Sequence, residues 1–335
     1  MTAEAAALGG WLRDNLGLDG APEIRPIAGG QSNPTWFVTA GGRRLVLRKQ
    51  PPGPLLKGAH AIDREYRIQR ALAGTDVPVP EMVAWCDDAS VLGTPFYLME
   101  RLDGRVWHES AMPGAEPAER RDMYLAVART LAALHSIDPA AIGLGDYGRP
   151  GNYFARQVAR WGKQWQQAQS RGVPELDQLH DWLAARIPED DGIVSIAHGD
   201  FRIGNIMFAR DRPRVAAVLD WELSTLGHPM ADLGFFCMFW RARQDEYGGL
   251  ADLDWRALGI PSRKEFVQEY IAASRHAVAL TPFHEAFALF RFAVIFVGIA
   301  DRALQGNAAG DAAGDAMRLA RAYAGHGLAA AAEAG

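Results

Sequence analysis

Cysteine is nearly missing from this 335-residue chain: Cys86 and Cys237 stand far apart, with no histidine at metal-ligand spacing. A disulfide framework and a zinc site are thereby excluded, and the reducing cytoplasm is the expected compartment. A basic excess is missing too, since 35 Lys and Arg face 40 Asp and Glu for a formal charge of −5. A general electrostatic grip on nucleic acid or an anionic membrane needs clustered cations, so neither is an expected partner and any phosphate site must be local. Long uncharged apolar runs are also lacking. The most apolar stretch, Phe283 to Leu304, holds Glu285, Arg291 and Asp301, whereas a membrane span needs ~20 nearly uncharged residues. It reads as a buried core helix. Met1 to Leu18 has no basic region followed by an apolar run, and reads as a short amphipathic helix with no secretion expected. Between residues 23 and 49, around the glycine pairs that separate the strand runs, neither G-x-G-x-x-G nor G-x-x-x-x-G-K-[ST] occurs, and no fixed repeat suggests a solenoid.

Hydrophobic residues make up 49% of the chain and charged residues 22%, ordinary globular usage over a length that calls for two lobes. Three strand runs, Glu23–Ala28, Thr35–Thr39 and Arg43–Lys49, are separated by glycine pairs and form a small antiparallel meander. A helix at Asp63–Ala73 follows, then strands at Met82–Cys86 and Pro95–Met99. After Gly104 the apolar period becomes helical, over 118–135, 152–169, 175–187, 262–276 and 283–304, with a further helix at 311–324. Ser262-Arg-Lys-Glu265 has the form of a capping box. One strand-rich island, Ile193 to Glu222, interrupts the helices. The fold class is therefore α+β, with a small antiparallel-sheet lobe at 1–102 and a larger, mostly helical lobe at 103–335.

The island carries the chemistry. His198-Gly-Asp200-Phe-Arg-Ile-Gly-Asn205 is followed by the apolar strand Val215–Leu219 and then Asp220-Trp221-Glu222. Phosphoryl transfer needs one carboxylate facing an acceptor hydroxyl, and an amide oxygen and second carboxylate reaching Mg²⁺. This order and spacing resemble the aminoglycoside phosphotransferase and choline kinase superfamily, which has a two-lobed protein-kinase-like fold. The resemblance implies ATP and Mg²⁺ as cofactors, Asp200 as the base, and Asn205 and Asp220 as metal ligands. It implies a glycine-rich nucleotide lid at Gly30, Gln31, Ser32 and Asn33, and a cation on the third strand oriented by a helix glutamate, Glu65. Arg48 and Lys49 compete for the cation role. Alignment puts Arg48 at the usual lysine position, and strand alternation turns Lys49 to the opposite face. Glu100 and Leu102 fall where the hinge meets adenine.

Residues 219–234, the GG-x-SN lid, Arg64–Tyr66 and Tyr153–Gln157 resemble the branch associated with acyl-CoA dehydrogenases. No Ala-Pro-Glu segment follows Asp220, so a protein substrate is disfavoured and a small hydroxylated one is expected. Arg156 and Arg160 on one helix face suit an acidic acceptor such as a hydroxyacyl acid or hydroxyacyl-CoA, with Glu222 a further substrate candidate; the bland alternative is an amphipathic helix with Trp161 and Trp165 packed inward. An aminoglycoside-type or amino-alcohol kinase is the alternative enzyme. A catalytically inactive nucleotide-binding regulator is the alternative from another class, motivated by arginine in place of lysine. A functional link to an acyl-CoA dehydrogenase is the expected partnership.

Overall fold

The computed structural model describes residues 2–27, 33–53, 61–170, 172–276, 278–305 and 310–334. The expected lid residues Gly30, Gln31 and Ser32 lie outside them. The architecture is α+β, and the chain divides into two compact units, Met1–Gly104 with Ala216–Ser224 and Arg105–Val215 with Thr225–Gly335.

The sheet-rich unit starts with α1 (Thr2–Leu16), β1 (Glu23–Pro26), β2 (Thr35–Ala40) and β3 (Arg43–Lys49). It continues through α2 (Ile62–Leu72), β4 (Met82–Cys86), α3 (Ala89–Leu92) and β5 (Phe96–Glu100). The five strands form an antiparallel sheet in the order β1-β2-β3-β5-β4. Alternation along β3 sorts its residues onto two faces. Leu45 and Leu47 join Leu8 and Leu12 of α1 and Phe96 and Leu98 of β5 in one apolar cluster. Trp11 meets Phe96 edge-on at 5.2 Å. The other face meets α2, whose buried positions Ile62, Glu65, Ile68, Gln69 and Leu72 repeat at helical spacing. A glutamate therefore stands among residues that are otherwise mostly apolar.

The sequence reading places Asp220 with the larger lobe, but Ala216–Ser224 groups with the sheet-rich unit. Local bonds explain this. The Val218 amide donates to the Pro78 carbonyl at 2.9 Å, Arg64 donates to the Ser224 carbonyl at 3.3 Å, and Arg48 binds Asp220.

The helical unit contains α4 (Pro117–Ser136), α5 (Tyr153–Gln167), α6 (Pro174–Ala184), β6 (Ser195–Ala197) and β7 (Ile206–Phe208). After β8 (Val215–Val218), which leads into the sheet-rich unit's 216–224 segment, the helical unit resumes with β9 (Thr225–Gly227), α7 (Pro229–Cys237), α8 (Arg263–Ala273), α9 (Pro282–Gln305) and α10 (Gly310–Ala332). The capping box forms: Glu265 N–H donates to Ser262 Oγ at 3.2 Å, and Ser262 N–H donates to Glu265 Oε2 at 2.9 Å. Helix α9 is long and apolar enough to cross a membrane, yet 83% of that stretch is buried inside the protein. Gly234 lets it approach α7, because a Cβ there would stand 2.7 Å from the His284 carbonyl oxygen. Helix α10 is longer than the expected 311–324. Its alanines favour helix, Ala320, Tyr323, Ala324 and Ala330 are buried, and Gly327 presses against Leu179 of α6.

Candidate active site

In the sheet-rich unit, a polar group assembles on the α2 face of the sheet. Arg48 Nε lies 2.8 Å from Glu65 Oε2, and its Nη2 donates to Asp220 Oδ1 at 2.8 Å, with Glu222 Oε2 at 4.0 Å. Lys49 goes to the opposite face, where its Nζ is 3.5 Å from Glu4 of α1. The two candidate cations are thus separated by one step of strand alternation, and only Arg48 meets the carboxylates. Although burial disfavours its charge, Glu65 and Asp220 hold the guanidinium firmly protonated. Burial pushes Glu65 up to about 7, against the attraction of Arg48.

Glu65 is 1% exposed, so its remaining lone pairs need donors. Tyr97 O–H donates to Oε2 at 3.0 Å, and Asn33 Nδ2 donates to Oε1. The sequence reading set Asn33 among phosphate-binding lid residues. Its buried side-chain amide donates to Glu65, supplying a bond that the buried carboxylate needs. Asp220 adopts φ +63°, a left-handed conformation that aspartate tolerates better than most residues. It follows β8 closely, and the buried Trp221 beside it bonds its indole N–H to the Val218 carbonyl at 3.0 Å. At the expected hinge, the Glu100 N–H is taken by the Glu81 carbonyl at 2.9 Å. The next amide, Arg101 N–H, is taken by the Arg44 carbonyl at 3.2 Å, and Leu102 lies two residues past the end of β5.

In the helical unit, the 198–205 loop leaves the end of β6 and is fixed at its start by Asp232 of α7. Asp232 accepts from the His198 and Gly199 amides at 2.6 and 2.9 Å. His135 stands 3.3 Å from the same carboxylate and is itself bonded to Tyr270 Oη at 2.7 Å. Burial alone would raise the Asp232 carboxyl, but these bonds hold it below its ordinary value. Arg291 of α9 donates to the Gly199 carbonyl. Asp200 follows with a quarter of its side chain exposed. Asn205 Nδ2 donates to the Asp200 carboxylate at 2.8 Å and to its carbonyl at 2.9 Å, which ties the two ends of the motif together. Desolvation raises the Asp200 carboxyl above its ordinary value; Arg202, His198, Asn205 and Arg291 oppose the rise. A carboxylate made more basic and held in one orientation is suited to accept a proton.

Arg202 Nε lies 3.4 Å from Asp200 Oδ2, and its guanidinium stands 5.5 Å from the Tyr247 ring centre. Gly204 makes room for it, since a Cβ there would strike the Arg202 guanidinium. Sequence reasoning missed Arg202 and Arg291. The glycine two places after Arg202 is the one local signal for the first; nothing near position 199 signals the second. Of the expected acceptor cations, Arg156 donates to the carbonyls of Arg149 and Pro150, the former at 2.6 Å. Arg160 lies 5.4 Å over Trp161. Both stand near Tyr153, whose hydroxyl desolvation pushes to about 12 against the positive charges of Arg291, Arg160 and Arg156. Trp165 is buried and bonds Asp177 at 2.8 Å, whereas Trp161 is only partly buried. The inward packing expected of both tryptophans holds fully for Trp165.

Residues 23–278 match the phosphotransferase enzyme family. The chain belongs to that family. A crystal structure of a putative aminoglycoside phosphotransferase from Ralstonia eutropha is 44% identical, covers 98% of each chain and superposes with a TM-score of 0.89. Acyl-CoA dehydrogenase family member 11 of Gallus gallus is 40% identical over 314 residues, 92% of this chain. The chain spans only 40% of that relative's length. An aminoglycoside phosphotransferase crystallised with AMP-PNP and hygromycin B shares the fold at 17% identity and a TM-score of 0.63, with 96% of this chain and 99% of that one covered.

Oxygen donors of the kind a hard divalent ion takes are present in each unit: the Asp220 carboxylate in the sheet-rich one and, in the helical one, the Asn205 amide oxygen, whose amide nitrogen is engaged with Asp200. Magnesium takes one or two protein oxygens and fills its octahedron with phosphate and water. Among the described residues no cluster of three or more His, Cys, Asp and Glu forms a softer metal site.

Proposed function

We propose that this phosphotransferase moves the γ-phosphoryl group of ATP to the hydroxyl of a small acidic molecule, with Asp200 taking the hydroxyl proton. The observation that carries the reading is the setting of Asp200: raised in basicity by desolvation and oriented by Asn205, on a loop held by Asp232. Arg48, oriented by Glu65, is assigned to the nucleotide phosphates, where a guanidinium can bind oxygens bidentately. Asn205 and Asp220 are assigned to Mg²⁺, which when bound neutralises the phosphate charge. The remaining work is positioning and charge stabilisation.

Arg202 and Arg291 beside Asp200, with Arg156 and Arg160 near Tyr153, support an acceptor bearing a carboxylate or phosphate. A hydroxyacyl acid or hydroxyacyl-CoA satisfies that chemistry. The acyl-CoA dehydrogenase relatives, which contain a matching segment within longer chains, support a functional link to such an enzyme. An aminoglycoside or amino-alcohol acceptor is favoured by the 44% identical structure's description, but its ammonium groups would meet these guanidiniums. An inactive regulator is disfavoured by the intact Asp200–Asn205 pair.

ADP formation and ³¹P NMR with MgATP, run over hydroxyacyl acids, hydroxyacyl thioesters, aminoglycosides and amino alcohols, test the reading. Phosphorylation is expected first among the acyl acids or thioesters, and Asp200→Ala should abolish it while MgATP still binds. Preference for an aminoglycoside overturns the acidic acceptor, and turnover by Asp200→Ala overturns the base.

A further inference from the structure

A second cavity lies in the helical unit, away from the catalytic loop. Strand β6 runs from Ser195 to Ala197 and delivers His198–Asp200 at one end; Ile193, Val194 and His228 mark the other end of the β6–β9 ladder, where Ser195 pairs with Gly227. There a cavity of about 280 Å³ opens, lined by residues preceding β6, the start of α5, and the approach to α9. At ~30 Å³ for each water it has room for a molecule of roughly one ring and a short chain.

Its polar groups are ordered unequally. His228 Nδ1 accepts from the Met230 amide at 3.3 Å, and its Nε2–H donates to Asp191 Oδ2 at 3.2 Å. The His284 ring stacks parallel to it, with centroids 6.0 Å apart. His284 Nδ1 accepts from the Thr281 amide at 3.0 Å, so the proton of the neutral ring sits on Nε2. Burial and His228 lower the His284 imidazole to about 3, which keeps it neutral. The residue is 5% exposed and lines the cavity, and among the described residues Nε2–H has no acceptor. A donor on the cavity wall is open to an acceptor on a bound molecule.

The remaining lining is apolar on one side, with Phe154, Ile187, Pro188, Val194 and Val278, and acidic on the other. The acidic side is lined by Glu189, Asp190 and Asp191 against one lining guanidinium, Arg149, with Arg156 bonded to the Arg149 and Pro150 carbonyls behind it. Asp190 and Asp191 also accept backbone amides, from Asn152 at 2.8 Å and Ile193 at 3.0 Å, which fixes the carboxylates without neutralising them. Local charge therefore favours a cation, the apolar wall a ring, and His284 an oxygen acceptor.

We propose that this cavity binds a small amine of one-ring size, its oxygen accepting from His284 Nε2–H and its ammonium held by the Glu189–Asp191 carboxylates. The site lies at the end of β6 away from Asp200, Arg202 and Arg291, and it shares Tyr153 with the neighbourhood of Arg156 and Arg160. It is a binding site and performs no chemistry on the amine.

Tyramine is a suitable probe, and 4-hydroxyphenylacetate, with the same ring and oxygen but the opposite charge, is its control. Titration of the full chain carrying isotope-labelled histidine should move the His284 and His228 ring signals saturably with tyramine. Ala279→Trp, at an exposed lining position, should weaken binding, and His284→Phe should weaken it ~10-fold by removing the donor. Asp200→Ala should bind tyramine normally. The proposal is overturned by equal or tighter binding of 4-hydroxyphenylacetate, by tyramine affinity unchanged in Ala279→Trp, or by no histidine shift at millimolar tyramine. Loss of tyramine binding in Asp200→Ala would overturn it too, since the amine would then occupy the acceptor site. Should His284→Phe fail to fold, Ala279→Trp alone decides.

Discussion

Asp200 and Arg202 are two positions apart and oppose each other in charge, so pH reads their coupling directly. The base must be ionised to accept a proton, and activity should rise as pH climbs through its raised pKa. Arg202 lowers that pKa, so Arg202→Gln should move the acidic limb of kcat/KM to higher pH; an unmoved limb would show that Arg202 does not act on the base. Gly204→Ala should shift the limb the same way with little loss of stability, because its Cβ displaces only the end of a flexible side chain. On β3, Arg48→Ala should raise the KM for ATP far more than Lys49→Ala, since only Arg48 meets Glu65 and Asp220. Glu65→Gln should reproduce part of that defect. Equal effects of the two cation substitutions would detach β3 alternation from nucleotide binding.

Helix ends and helix contacts carry separable costs. Ser262→Ala removes a cap acceptor at the start of α8 and should destabilise the protein by ~1 kcal/mol in urea unfolding. Its distance from Asp200 in sequence and in role predicts unchanged kcat at the same temperature. Gly234→Ala is a harsher change. The added Cβ meets backbone at the His284 carbonyl, which cannot swing aside as the Arg202 side chain does. Overpacking of this kind costs about 1–3 kcal/mol, and a stability equal to wild type would mean that α7 and α9 can separate without penalty.

Across the molecule, acid stability should depend on His284. Its folded pKa, about 3, lies below the ordinary 6.5, so the unfolded chain binds the proton first. Its contribution is full above pH 6.5 and is lost progressively as pH falls toward 3. Urea-unfolding free energies at pH 7 and pH 5 should differ less in His284→Phe than in the wild type; an equal difference would mean that other groups control the acid limb. Asp232, also lowered, loses its contribution at still more acidic pH.

Much of this arrangement was legible before any coordinates. The strands, the capping box, the opposite faces of Arg48 and Lys49, and the order Asp200, Asn205, Asp220 all follow from patterns spanning a few residues or from one strong motif. Strand alternation and helical spacing are properties of the backbone itself, so local sequence determines them. The partners of those residues were settled only by folding. Arg48 reaches Asp220 across 172 positions, Arg291 reaches Gly199 across 92, and Asn33 reaches Glu65 across 32. Burial creates these demands: a desolvated carboxylate or carbonyl must find donors wherever the packed chain supplies them, and no local spacing encodes which distant residue that is.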